Sequence, residues 1–408
     1  MITPSYSATA TERVLPRLAL DFTTSALDPR VAVTRALNTA TRVNSSGLIE
    51  TVNADLPRFD YDPVTLQPKG LLIEDQRTNA LAYSEELGNA VWTKSNSSIV
   101  DNSTTSPSGL TNADTLVENT ATSTHFIQST ASVVGTPVVC SFYAKKKERS
   151  KVGFGGAGFN AQGFQAVWDL DSGTVFTNIG GRASIQALAN GWYRCSVAFT
   201  PSNTSGSIIL LCDDTGSNSY TGDGTSGLFL WGVQTEAGAF ATSYIPTTTT
   251  SLTRNADVVS MTGANFSSWY NSSEGTFAAD ATTLSPLGST QRIFSASTGS
   301  FADSINASAS GTDLFCQCFT AGGLEANMFF AGGASNTTFS LSYAYKANNA
   351  AAALKAGSVT TDTSIILPTP NQFGIGNEGG FALFNGWVNN IRYWPQRLTD
   401  AEVQAFSK

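Results

Sequence analysis

The chain has 408 residues, enough for two to four domains at roughly 100–200 residues each. Its 31 acidic and 23 basic residues make up only 13%, against about 25% in average usage, and Ser, Thr, Asn and Gly fill the difference. An apolar fraction of 41% with 24 Phe, 11 Tyr and 7 Trp excludes a disordered chain, and a net charge of −8 opposes binding to a nucleic-acid backbone.

Residues 1–11 show no basic region followed by an apolar stretch, and nowhere do about 18 apolar residues run together. The expectation is synthesis and folding in a cytoplasm, without membrane insertion. Residues 1–84 hold most of the early Arg and Pro and little alternation, and read as an extended segment that needs a partner to keep its shape.

From residue 85 onward, period-two alternation dominates, and an apolar stripe at helical spacing is almost absent. Residues 138–144 place Val138, Cys140, Phe142 and Ala144 on one face; residues 193–199 do the same with Tyr193, Cys195, Val197 and Phe199. Residues 166–170 turn through Asp171, Ser172 and Gly173 into residues 174–176, and residues 207–212 and 228–234 form further strands. Residues 85–250 therefore predict one β domain, and the threonines at 247–250 open a linker over 251–269.

Residues 270–408 repeat the pattern, with strands over 276–283, 338–345 and 387–394. In 338–345, Phe339, Leu341, Tyr343 and Tyr345 face one way and Ser340, Ser342 and Ala344 the other, as in a sheet with one wet face. Thr399 begins Thr-Asp-Ala-Glu, a capping box for a closing helix that buries Val403 and Phe406. The fold class is all-β: an extended N-terminal segment followed by two β-sandwich domains, jelly-roll or concanavalin A-like.

Chemistry is constrained by the residues missing from the chain. His125 is the only histidine, and no Gly-X-Ser-X-Gly accompanies it, so a Ser–His–Asp enzyme and a histidine-rich metal centre are not expected. Five cysteines (140, 195, 212, 316, 318) form no disulfide or zinc spacing and fit core positions. The carboxylate pairs Asp60/Asp62 and Asp169/Asp171 sit at turn signals. Asp213/Asp214 open a polar stretch that also holds Tyr220 and Asp223; it reads as a solvated loop, a glycan contact or, at the limit, a Ca²⁺ site. The run 145–151, Lys-Lys-Lys-Glu-Arg-Ser-Lys, is either a solvated hairpin end or an attraction for anionic polysaccharide. Trp192 is either a partly buried packing residue or an exposed stacking platform for sugar rings.

Several runs carry a resemblance. Val33-Thr34-Arg35-Ala36, residues 38–43, Gly47-Leu48-Ile49, residues 57–63 (Pro-Arg-Phe-Asp-Tyr-Asp-Pro), residues 70–79 (Gly-Leu-Leu-Ile-Glu-Asp-Gln-Arg-Thr-Asn), residues 83–85 and residues 90–94 resemble the head-spike fibre domain family of tailed bacteriophages. The family's Ser-Thr-Ala-Thr-Tyr is replaced here by Asn38-Thr39-Ala40-Thr41-Arg42. Residues 141–145, 191–194, 231–234 and 244–247 are similar to the carbohydrate-binding-module-like jelly roll that commonly follows, and residues 384–402 to the end of a concanavalin A-like or laminin-G-like sandwich.

This resemblance implies a virion fibre or spike made in a bacterial host cytoplasm. It would be a homo-oligomer, a trimer by family, with other virion proteins and host surface glycans as partners. Arg35, Arg58, Phe59, Asp60 and Arg77 are then candidates for attachment to the particle, and Asp213, Asp214, Tyr220, Asp223 and Trp192 for contact with glycan. Host attachment through glycan is the expected function, without catalysis or a cofactor. A purely structural capsid or collar decoration is the alternative, and a depolymerase using Asp213 or Asp214 the least expected.

Overall fold

The computed structural model describes residues 15–408 apart from 130–136, 156–163, 180–181, 201–207, 285–286 and 333–337. The chain is almost all β, as its alternation predicts, and forms two compact units. One is Val33–Asp257; the other joins Val258–Lys408 to the described residues before Val33. The segment expected to stand apart as residues 1–84 is thus divided between them. Residues 251–269, expected as a linker, contain the strands Leu252–Arg254 and Val258–Thr262 and the helical turn Ala264–Ser267.

The unit Val33–Asp257 is built on two six-stranded antiparallel sheets. The first runs Arg182–Ala187, Trp192–Phe199, Val138–Lys146, Gly227–Ala237, Ala113–Glu118, Ser97–Thr104. The second runs Thr174–Asn178, Phe164–Asp169, Lys151–Gly155, Ile208–Cys212, Phe126–Gln128, Thr93–Ser95. Alternate residues from both sheets meet in one core: Cys140, Phe142, Cys195, Val197 and Leu230 from the first, and Val152, Phe154, Trp168, Ile209 and Leu211 from the second. Each fully buried Leu, Ile, Val or Phe contributes roughly 1.5–3 kcal/mol, so this core drives the sandwich.

Position 232 changes which side of the first sheet the strand Gly227–Ala237 buries. Gly232 has φ +61°, and the pairing with Val138–Lys146 shifts register at the same place. Leu228, Leu230 and Val233 therefore enter the sandwich core, while Trp231 joins Tyr143, Trp192 and Tyr244 on the outer face. That face is not wet. Ile49, Val43 and Tyr244 pack over it, so residues of the N-terminal segment serve as its cover.

In the other unit, one sheet runs Thr360–Asp362, Ala350–Leu354, Thr338–Lys346, Glu274–Thr283, Gly386–Trp394, and Leu18–Asp21 also pairs with Gly386–Trp394. The other runs Val258–Thr262, Gln372–Ile375, Leu287–Ser297, Ser304–Gly311, Asp313–Thr320, Gly323–Phe330. Phe277, Phe294, Phe373, Tyr393 and Trp269 meet in the interior, with the Phe277 and Phe373 rings 5.4 Å apart and parallel.

The closing helix Asp400–Phe406 has both halves of its capping box between Thr399 and Glu402. Thr338–Lys346 does not have the wet face expected of it. Ser342 and Ala344 are fully buried because this helix lies on them: Ala344 packs with Val403, and Ser342 Oγ donates to the Val403 carbonyl. Short polar and small residues here make room for a helix rather than for water. All five cysteines are buried and outside any disulfide, as their core positions require. Among the described residues, no helix is long and apolar enough to cross a membrane.

Candidate functional site

Three turns of the unit Val33–Asp257 converge around Trp192. In the first, Asn44 Oδ1 accepts the backbone amides of Ser46 and Leu48, and Gly47 supplies φ +77°. In the second, Ser106 Oγ accepts the amide of Ser108, and Gly109 donates to the Ser106 carbonyl. In the third, Asn190 and Gly191 both take positive φ, and Leu188 N donates to the Trp192 carbonyl.

The turns are fastened to one another. Ile49 N donates to the Pro107 carbonyl at 3.0 Å, and Trp192 Nε1 to the Thr105 carbonyl at 3.1 Å. Between them lies a cleft of about 390 Å³ lined by residues 47–48, 104–107 and 188–190, with Lys145 and Trp192. That volume suits a small ligand.

Trp192 is only 2% exposed and is held by its indole N–H, which corrects the reading of it as an exposed stacking platform. It forms the back of the cleft. Lys145 is its cross-strand partner, and the Lys145 stem lies over Gly191, whose missing Cβ would come 3.8 Å from Lys145 Cε. The other cations of the basic run are engaged: Lys146 with Asp171 at 2.5 Å, Lys147 with Glu148 at 3.0 Å, Arg149 with Glu118 at 2.6 Å and Lys151 with Asp169 at 3.3 Å. Among the described residues, no carboxylate pairs with Lys145.

The loop that carries Asp213, Asp214, Tyr220 and Asp223 lies elsewhere and is organised by a residue that sequence reasoning missed, Glu118. Its carboxylate accepts the Tyr220 hydroxyl at 2.6 Å, the Asp223 amide at 2.8 Å and a bidentate Arg149 at 2.6 and 2.8 Å. Burial pushes the Glu118 carboxyl up, but Arg149 and these donors outweigh it and hold it below the usual range. Arg149 also lies over the Tyr220 ring at 4.9 Å, and His125 packs on the same ring at 4.8 Å with its Nδ1–H donating to the Asn96 carbonyl at 2.7 Å.

Asp213 and Asp223 each turn inward on their own loop. Asp213 Oδ1 accepts the amides of Thr215 and Ser217, and Asp223 accepts those of Thr225 and Ser226 together with the Ser226 hydroxyl. These bonds hold both carboxyls below their ordinary value, in Asp213 against the burial that raises it. Asp214 is exposed. Among the described residues, no group of three or more His, Cys, Asp or Glu is placed to hold a metal ion.

Four of the five attachment candidates are interior. Arg35 and Arg58 are 1% and 0% exposed, which corrects their reading as residues offered to a partner. Arg58 meets Glu74 at 2.7 Å and also Asp257; Arg35 reaches Asp257 at 2.8 Å and the Asn53 carbonyl at 2.6 Å. Arg254 approaches Glu74 at 3.5 Å, and Ser243 donates its amide and hydroxyl to the same carboxylate. Burial alone would raise Glu74, yet Arg254 and Arg58 hold it down at about 2. Phe59 and Asp60 are buried beside this cluster, Asp60 Oδ1 accepting the Val43 amide at 2.7 Å. Arg77 is half-buried, 3.5 Å from Asp75 and over the Phe240 ring.

No protein-family model matches the chain, and no curated protein matches it. Among solved structures it is similar to the CBM40 of the Ruminococcus gnavus IT-sialidase bound to alpha2,3 sialyllactose, at 12% identity and TM-score 0.30, over 34% of this chain and 84% of that one. It is also similar to the botulinum neurotoxin serotype G binding domain, at 12% and 0.30, over 37% of this chain and 40% of that one. A third is the native heptameric SAP-like pentraxin from Limulus polyphemus, at 14% and 0.27, over 33% and 70%.

Proposed function

We propose that the chain is a glycan-binding fibre or spike of a bacteriophage particle, and that its unit Val33–Asp257 holds saccharide in the cleft at Trp192. The cleft carries the reading. Its lining includes the hydroxyl residues Thr104 and Thr105, the amide of Asn190 and the ammonium of Lys145, beside apolar surface from Leu48 and Pro107. Sugars present the same mixture of hydroxyl groups and apolar ring faces. The turns that supply these groups are bonded to one another, so little ordering is needed on binding. The phage setting is supported by the motif runs between residues 33 and 94, and copies on one particle would raise avidity 10²–10⁴-fold without stronger contacts, an order-of-magnitude expectation.

The test is retention of the purified full chain on host surface polysaccharide, beside a Thr105→Trp variant that fills the cleft. Thr105 is exposed and only its carbonyl serves Trp192, so the variant is expected to fold, which an unchanged circular dichroism spectrum checks. Retention by the native chain and its loss in the variant are expected. Failure of the native chain to hold any host saccharide overturns the proposal. Cross-linking on intact particles then identifies the virion protein that neighbours the chain.

A further inference from the structure

We infer that the cleft selects saccharides bearing a carboxylate, with the anionic group placed at Lys145; this rests on the glycan reading above. Five cations lie between residues 145 and 151, and four of them have a carboxylate within 3.3 Å. Of the five, Lys145 lines the cleft, and among the described residues it is the one charged member of that lining. In a chain of net charge −8, acidic groups outnumber basic ones, yet none among the described residues pairs with this ammonium.

The arrangement is directional. Lys145 and Trp192 face each other across adjacent strands, and Gly191 leaves open the space beside the lysine stem. A side chain at 191 would need positive φ, where L residues are strained, and its Cβ would rest in ordinary contact with Lys145 Cε. Thr104 and Thr105 line the same cleft, and a hydroxyl can both donate and accept, which suits the neutral remainder of a sugar. An ammonium is a compact point charge, so it sets a preference for an anionic group without demanding the bidentate geometry that arginine would impose.

The experiment is calorimetric titration of the full chain with a glucuronate-terminated tetrasaccharide and with the same tetrasaccharide after reduction of its carboxyl group to an alcohol. The acidic form is expected to bind about tenfold or more tightly, from one charge-assisted hydrogen bond. Lys145→Gln should abolish that difference, Lys145→Arg should keep most of it, and added salt should narrow it. Lys145 is half-buried at a strand end, and unchanged near-ultraviolet circular dichroism of both variants confirms their folding. Equal binding of the two tetrasaccharides, or a preference that survives Lys145→Gln, overturns this inference and leaves the glycan reading standing. Binding of neither, with no retention on host polysaccharide, overturns both.

Discussion

Tyr220 donates its hydroxyl to Glu118 at 2.6 Å, a bond that joins residues 102 positions apart and ties the 213–227 loop to the strand Ala113–Glu118. Tyr220→Phe removes one hydrogen bond to a charged acceptor and should destabilise the fold by about 1.5–3 kcal/mol. Glu118→Gln should do more, because Arg149 then loses its bidentate partner. Urea unfolding of the two variants measures this. If both match the native midpoint, the loop is not held as described.

The buried cluster of Arg58, Glu74 and Asp257 makes a larger claim. Glu74→Gln or Asp257→Asn leaves cationic charge uncompensated in the interior, at about 3–5 kcal/mol. An apolar replacement of the same shape at several of these positions together should be far milder, and comparing the single and combined variants separates pairing from desolvation.

Acid should unfold the unit Val33–Asp257 through Glu74. Its folded value is about 2 against an ordinary 4.5, so the unfolded chain takes up the proton first. Its contribution is complete above about pH 4.5 and is lost as the pH falls from there toward 2, on the order of 3 kcal/mol in all. In Glu74→Gln the stability profile between pH 5 and 2 should flatten. An unchanged slope would show that other carboxylates govern acid sensitivity.

Gly232→Ala should destabilise by roughly 1–2 kcal/mol or more, because position 232 is left-handed and the new Cβ would lie 2.9 Å from Tyr143 Cδ2. Tryptophan fluorescence should report the repacking of Trp231. A neutral result would mean that the bulge is not what sends Trp231 outward.

The five thiols should resist a bulky thiol reagent in the native protein and all react after unfolding in denaturant. Burial pushes the Cys212 and Cys318 thiols up to about 12, which removes the reactive thiolate at neutral pH. Rapid native labelling of any of them would contradict the packing.

Period-two alternation revealed most strands because each sheet has a face whose residues share one core: Phe142, Cys195 and Val197 are legible as a set. Alternation failed where both faces are covered. Ser342 and Ala344 look like solvent positions until the helix Asp400–Phe406 is placed on them, and that contact spans about 60 residues. It failed again at residues 33–84, whose interior mixes apolar residues with the buried charges Arg35, Arg58, Asp60 and Glu74. Arg35 and Arg58 carry the signature of surface residues, and only their meeting with Glu74 and Asp257, up to 222 positions away, makes them core.

The site was legible in pieces. Trp192 and the basic run at 145–151 stood out by residue type, and the Asn190-Gly191 and Ser108-Gly109 dipeptides are turn signals that mark two of the three converging loops. That the turns meet, and that Lys145 has no carboxylate partner among the described residues, are properties of the assembled sheets. Glu118 gave no local signal, as an isolated acid in a polar run rarely does.

The aromatic outer face of the first sheet sets where the gene can be cut. A recombinant fragment starting at residue 85 would keep both sheets but shed Ile49 and Val43, baring the patch of Tyr143, Trp231 and Tyr244 to water. It would also lose the Ser84 hydroxyl that meets the Tyr244 phenol at 2.6 Å. Such a fragment should clump, so residues 85–257 are not a portable cassette, and any transplant to another scaffold has to begin upstream, at Val33.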